Sequence, residues 1–228
     1  MKNIFIIIKK QLLDTFKNKT ILIQFILFPL MTLIMENAVQ MDNIPELFFT
    51  KLFSVMYIGM APLTSVAAII SEEKEKNTLR VLMMANVKPW QYILGVGIYD
   101  WIICMIGACV MSVGFDSSEI LIYLIIMAVG FIISITAGAC VGIFAVNQMS
   151  ATSLVMPLML VLSFAPMLAM FNDKIAKVAK FFYTQQLRSV LDEMSFDGIG
   201  FGNVGIVLAN SVLFVILFGI AFRSKGLE

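Results

Sequence analysis

Six long apolar blocks constrain this chain more than any motif in it. They run at about residues 20–40, 49–71, 91–114, 119–146, 151–171 and 201–222. A helix needs roughly 20 apolar residues to cross the hydrocarbon core. Backbone polar groups at that depth are satisfied only within helices or closed barrels. The expected fold is therefore all-α and integral to the membrane, with six transmembrane helices. The first block is the least uniform, with Gln24 inside it and Glu36 near its outer end. Composition agrees: 60% hydrophobic against 14% charged leaves a soluble domain of 228 residues too little polar surface. The apolar run 4–8 is too short for a cleavable signal and leads into Lys9 and Lys10, not a small-residue cleavage site.

Basic residues set the orientation. Lys2, Lys9, Lys10, Lys17 and Lys19 precede the first block. Lys74, Lys76, Arg80 and Lys88 fill the link between the second and third, and Arg223 and Lys225 follow the sixth. Short loops rich in Lys and Arg stay cytoplasmic, so both termini are expected inside a bacterial plasma membrane. Thirteen Lys against three Arg, with much Ile and Asn, is the usage of an A+T-rich bacterial source. The opposite side carries Lys51, Lys174, Lys177, Lys180 and Arg188. The last four fall in segment 173–198, where Ile175, Val178, Ala179, Phe182, Leu187, Val190, Leu191 and Met194 keep helical spacing. That pattern predicts one or two short amphipathic helices dipping into the outer leaflet, within a segment of about 172–200. Residues 2–19 read similarly. Ile4, Ile8, Leu12 and Phe16 recur every fourth residue while Lys10, Asp14 and Lys17 lie elsewhere, as in an interfacial helix resting among anionic headgroups.

Inside the spans, Gly130, Ser134, Gly138 and Gly142 form one small-residue stripe that lets another helix approach closely, from this chain or from a second copy. Pro29, Pro62, Pro157 and Pro166 each remove a helical hydrogen bond. Cys104, Cys109 and Cys140 sit in apolar runs and read as buried small hydrophobes, not as a disulfide framework.

Most enzyme chemistry is excluded. The chain has no histidine, which removes His-based triads, His-ligated metals and His proton relays. Only Asp100 is an acid deep in a span, roughly 13 Å above Gln91 at 1.5 Å per residue, so no aspartyl pair forms. It reads either as a polar anchor on a transport path or as a hydrogen bond between spans. The phosphate loop GxxxxGK[ST] is absent, so the chain is not a P-loop ATPase. A net charge of +1 offers no footprint for nucleic acid.

The link 71–97 carries the most information. Glu72, Glu73 and Glu75 lead into Thr78 and Leu79, then Leu82 and Met83, then Trp90 and Gly95. This order resembles the corresponding loop of ABC-2 type exporter permeases, with Asn77 where that family usually has glycine and Val96 where a lysine often follows Gly95. Asn tolerates the left-handed conformation that such a turn requires. A second stretch is similar to the family: Asn147 and Gln148 after the fourth block, Pro157 and Pro166 in the fifth, then Phe181, Phe182, Tyr183, Leu187 and Arg188, without the family's proline before the tyrosine. The resemblance covers nearly the whole chain, 1–228, as a single transmembrane domain.

The resemblance implies a permease subunit with no cofactor of its own. ATP and Mg would bind a separate ABC ATP-binding subunit, and a second permease copy would complete a homodimeric pathway in the bilayer. Segment 71–90 would be the ATPase-coupling element, its acids suiting a helix N-terminus and Leu79, Leu82 and Met83 forming an apolar docking face. Asn147 and Gln148 would form a smaller second cytoplasmic contact. Small permeases of this kind resemble those of peptide-toxin, bacteriocin and phenol-soluble modulin exporters. With 19 Phe, 17 Met and little intramembrane charge, the expected cargo is an amphipathic peptide or another hydrophobic molecule. Two other readings stand beside this one, a self-sufficient carrier or channel and a membrane protein conferring immunity to a toxin.

Overall fold

A computed structural model describes residues 2–39, 45–194 and 200–225. Among them the chain is all helical, in the order α1 (Lys2–Lys17), α2 (Lys19–Ala38), α3 (Phe48–Glu75), α4 (Thr78–Met84), α5 (Pro89–Met111), α6 (Ser117–Phe144), α7 (Gln148–Leu168), α8 (Asp173–Ala179), α9 (Tyr183–Glu193) and α10 (Phe201–Lys225). Helices α2, α3, α5, α6, α7 and α10 are long and apolar enough to cross a bilayer. They coincide within a few residues with the six apolar blocks.

The molecule is organised around α3, which packs against α2, α5, α6 and α7 and is 78% buried over its most apolar window, against 6% for α10. Its sequence explains the position. Lipid tails are as apolar as leucine, so helices associate in a membrane through close approach and shared hydrogen bonds. Helix α3 supplies Ser54, Gly59, Ala61, Ser65, Ala67 and Ala68. Glycines on its neighbours meet it at contact distance. A Cβ at Gly138 would lie 2.6 Å from the Leu63 carbonyl oxygen, and one at Gly142 2.8 Å from Ile70. The stripe Gly130, Ser134, Gly138 and Gly142 is thus buried against this chain's own α3, so the alternative of a subunit interface along it does not hold.

Two prolines free carbonyls that other spans satisfy. Pro62 has no N–H for the oxygen of Ile58, four residues earlier; the Ser134 hydroxyl of α6 donates to that oxygen at 2.5 Å. Pro29 leaves the oxygen of Phe25, which accepts from the Tyr57 hydroxyl of α3 at 3.3 Å. A missing intrahelical bond in hydrocarbon must be replaced, and here the replacement fastens α2 to α3 and α3 to α6.

Helices α8 and α9 do form in the segment between α7 and α10, and residues 195–199 of the expected stretch lie outside the described residues. The reading of Arg188 as part of a polar outward side is corrected. Helix α9 is inserted among α3, α6, α7 and α10, and Arg188 is buried, donating to the Pro166 carbonyl and pairing with Asp192 at 3.6 Å. Tyr183 fixes the start of α9, with its hydroxyl 2.6 Å from that of Ser134. A second correction concerns the cysteines. Cys104 and Cys140 are buried, but Cys109 is exposed on the outer surface of α5.

Helix α1 presents faces other than those expected. Ile7, Gln11 and Thr15 turn inward; Ile7 presses on Gly95 of α5, and the Tyr99 hydroxyl of α5 donates to Thr15 Oγ1 at 2.5 Å. Phe5, Ile6, Leu13 and Phe16 face outward. Lys10, assigned from spacing to the solvent side, points inward.

Candidate functional site

The last turn of α3 holds four consecutive charged residues, Glu72, Glu73, Lys74 and Glu75, and each reaches a different neighbour. Glu73 Oε1 accepts from Lys10 Nζ at 2.6 Å and from the Gln11 amide, tying α3 to α1. Glu72 Oε2 accepts from Asn18 Nδ2 at 3.2 Å, at the α1–α2 joint, while its Oε1 pairs with Lys76 at 2.5 Å. Lys74 Nζ donates to the carbonyls of Ile143 and Ala145 at 2.7 and 2.8 Å. These lie at the C-terminus of α6, where carbonyls lack intrahelical donors and cations are favoured. Glu75 Oε2 accepts from the Gln148 N–H at 2.9 Å, at the start of α7. One helical turn thereby joins α1, the α1–α2 joint, α6 and α7.

Two sequence expectations for this segment are corrected. The acids do not open a helix; they close α3, where the helix dipole disfavours negative charge. Cations compensate. Burial works against the charge on Lys10, but the Glu73 and then the Asp14 carboxylates outweigh it, and its ammonium is held above its ordinary value. The apolar face of Leu79, Leu82 and Met83 does not point outward. Asn77 takes a left-handed conformation (φ 56°), as its residue type permits, and redirects the chain into α4. That turn points Leu79 into this chain's own core, 1% exposed, with Leu82 and Met83 half-buried behind it. Thr78 opens α4 half-buried. The outward apolar side chains are Val81 and Met84, 62% and 81% exposed. Near the Glu75–Gln148 contact, Val146 and Met149 are also exposed. Asn147 is exposed, and its side chain caps α7 by accepting from the Ser150 N–H at 2.8 Å.

A polar cleft of about 680 Å³ opens between α1 and the end of α3, lined among others by Lys10, Asp14, Lys17, Lys19 and Glu72. Sequence reasoning missed this assembly. Lys10 and Glu73 are separated by 63 positions, and no local pattern pairs them.

Asp100 lies apart from this face, fully buried in α5. Its Oδ1 accepts from the Ser65 hydroxyl of α3 and its Oδ2 from the Cys104 thiol at 3.8 Å. Among the described residues it has no ion pair. This geometry is a link between spans. Asp100→Ala is expected to cost about 1–2 kcal/mol, a buried hydrogen bond between spans plus a small void, while Asp100→Asn, which keeps an acceptor oxygen, costs less. Thermal unfolding in detergent measures both, and an unchanged midpoint for Asp100→Ala would remove the structural role.

Residues 2–223 match the family model described as ABC-2 family transporter protein. No curated protein matches the chain.

Proposed function

We propose, from the premise that this chain belongs to the ABC-2 family of transporter proteins, that it is the permease half of an ATP-driven exporter of amphipathic or hydrophobic cargo. Membership makes it a multi-pass membrane component of an ABC transporter and implies an ATP-binding subunit as partner. The direction of transport, the cargo, the homodimer and a plasma membrane with both termini cytoplasmic are the further steps of the proposal. The observation that carries it is the hub at the end of α3. Hydrolysis on a separate subunit can move these helices only through contact. A contact beside Val81 and Met84 on α4 reaches, through one turn of α3, four other segments at once. Val146 and Met149 extend the same exposed apolar area. Surfaces of this kind among charges mark interaction sites.

Helix α1, with Phe5, Ile6, Leu13 and Phe16 outward, is read as an interfacial helix in the cytoplasmic leaflet. The apolar spans, with Asp100 as the one acid deep within them and no repeated charge, favour a cargo that enters from the membrane, such as an amphipathic peptide of the toxin or modulin type. Family membership weighs against a stand-alone carrier.

Two measurements test this. In a cysteine-free background, Asn172→Cys is expected to react with an impermeant maleimide added outside intact cells, and Ser224→Cys only after permeabilisation; the reverse pattern inverts the topology. With the chain and its ATP-binding subunit co-reconstituted, an amphipathic peptide should raise ATP hydrolysis several-fold while a sugar does not. Stimulation by the hydrophilic solute alone would refute the cargo class.

A further inference from the structure

Helix α8 lies at the edge of the molecule. Helix α7 has 21 residues, about 31 Å at 1.5 Å per residue, enough to cross a hydrocarbon core of roughly 30 Å. Its end therefore stands near the core boundary, and α8 packs against it just beyond. Asn172 fixes the start of α8, its Oδ1 accepting from the Lys174 N–H at 2.9 Å. Ala179 is buried, and Ile175 and Ala176 are half-buried. The other side carries Lys174, Lys177, Val178 and Phe181, whose spacing puts them on one face. Phe171, Val178 and Phe181 are 75%, 59% and 62% exposed. Lys174, Lys177 and Lys180 are exposed and form no ion pair among the described residues. The Lys180 ammonium stands 5.3 Å from the centre of the Phe181 ring.

This face suits neither open water nor an apolar protein surface. Adjoining large apolar side chains are costly to leave in water. Unpaired cations are costly to bury against an apolar partner. A bilayer surface meets both at once. The rings and Val178 enter the acyl boundary, while the lysine stems carry their ammonium groups out to the phosphates. We infer that this face of α8 docks on the outer leaflet and recognises anionic phospholipid headgroups through Lys174, Lys177 and Lys180. Charge complementarity selects that occupant, since three cations stand here against one neighbouring acid, Asp173. The leaflet rests on the proposed topology; the lipid chemistry does not. Lipid-bound α8 holds the start of α9 in place. The Gln186 side chain donates to the Lys180 carbonyl, and Asn210 Nδ2 of α10 donates to the Phe181 carbonyl at 2.9 Å.

The test uses the full cysteine-free chain with Val178→Cys, labelled with a nitrobenzoxadiazole fluorophore, in nanodiscs of mixed phosphatidylcholine and phosphatidylglycerol. Spin-labelled lipid should quench the probe and aqueous iodide should not. At low salt, spin-labelled phosphatidylglycerol should quench about two- to fivefold more than spin-labelled phosphatidylcholine. That ratio is expected to fall to about one in Lys174→Gln plus Lys177→Gln plus Lys180→Gln, and in the parent at about 0.5 M salt. The triple variant should keep the parent's thermal midpoint in detergent, which separates a lost lipid preference from unfolding. Quenching by iodide would place this face in water, and shielding from both iodide and lipid would place it under a protein partner; either overturns the inference. So does equal quenching by the two lipids, or a preference that survives in the triple variant. Maleimide labelling at Asn172→Cys reads the side of the membrane separately, so an inverted topology would move the site to the other leaflet without mimicking any of these results.

Discussion

Gly138→Val is expected to lower the thermal midpoint of the purified chain by roughly 6–12 °C, or to prevent its accumulation in the membrane. A Cβ at this position would sit 2.6 Å from the Leu63 carbonyl oxygen and 3.1 Å from that of Pro62. Both are backbone atoms of the central helix, so no side chain can rotate away. The whole of α6 must shift off α3, breaking the Ser134 bond to Ile58 and, through Tyr183, the seat of α9. Overpacking against a flexible core costs about 1–3 kcal/mol, and here the rigid neighbour places the cost at about 3 kcal/mol or above. At roughly 2–4 °C per kcal/mol for a chain of this size, that gives the stated fall. Gly219→Val on α10 is the control. Nothing lies within 4 Å of a Cβ there, and its midpoint should match the parent. Equal behaviour of the two variants would mean that α6 does not pack on α3 as described.

The contrast between these glycines shows what the sequence makes legible. The six spans are readable because length and unbroken apolarity act over about 20 adjacent residues. The stripe from Gly130 to Gly142 is readable because a fourfold spacing puts residues on one face. The partner of that face is not, since spacing carries no information about which helix lies opposite. For the same reason the proline positions were evident while the groups that satisfy the freed carbonyls, Ser134 and Tyr57, were not.

The end of α3 shows this most sharply. Glu72, Glu73, Glu75, Leu79, Leu82 and Met83 stood out from the sequence as one segment, and the left-handed turn at Asn77 was expected from its residue type. Spacing placed Leu79 and Leu82 on a shared apolar face. It could not tell a face that meets another protein from one that meets this chain's own core, and Leu79 proved to be core. Local order likewise could not distinguish acids that begin a helix from acids that end one. That depends on where the turn falls and on Lys10, 63 positions away.

Coupling through this region is tested most directly by co-purifying the ATP-binding subunit with variants of α4. Val81→Asp plus Met84→Asp puts two carboxylates on the exposed side of the helix and leaves the core contacts of Leu79 intact. The pair is expected to insert normally, keep the parent's thermal midpoint, and lose at least tenfold in retained ATP-binding subunit and in ATP-driven export. A tenfold loss requires only about 1.4 kcal/mol, less than burying one unpaired charge costs at an apolar contact. Leu79→Asp should behave differently, lowering the midpoint itself because its carboxylate would be buried in this chain. If the Val81→Asp plus Met84→Asp chain retains its ATP-binding subunit and exports like the parent, the contact that drives this permease is not α4.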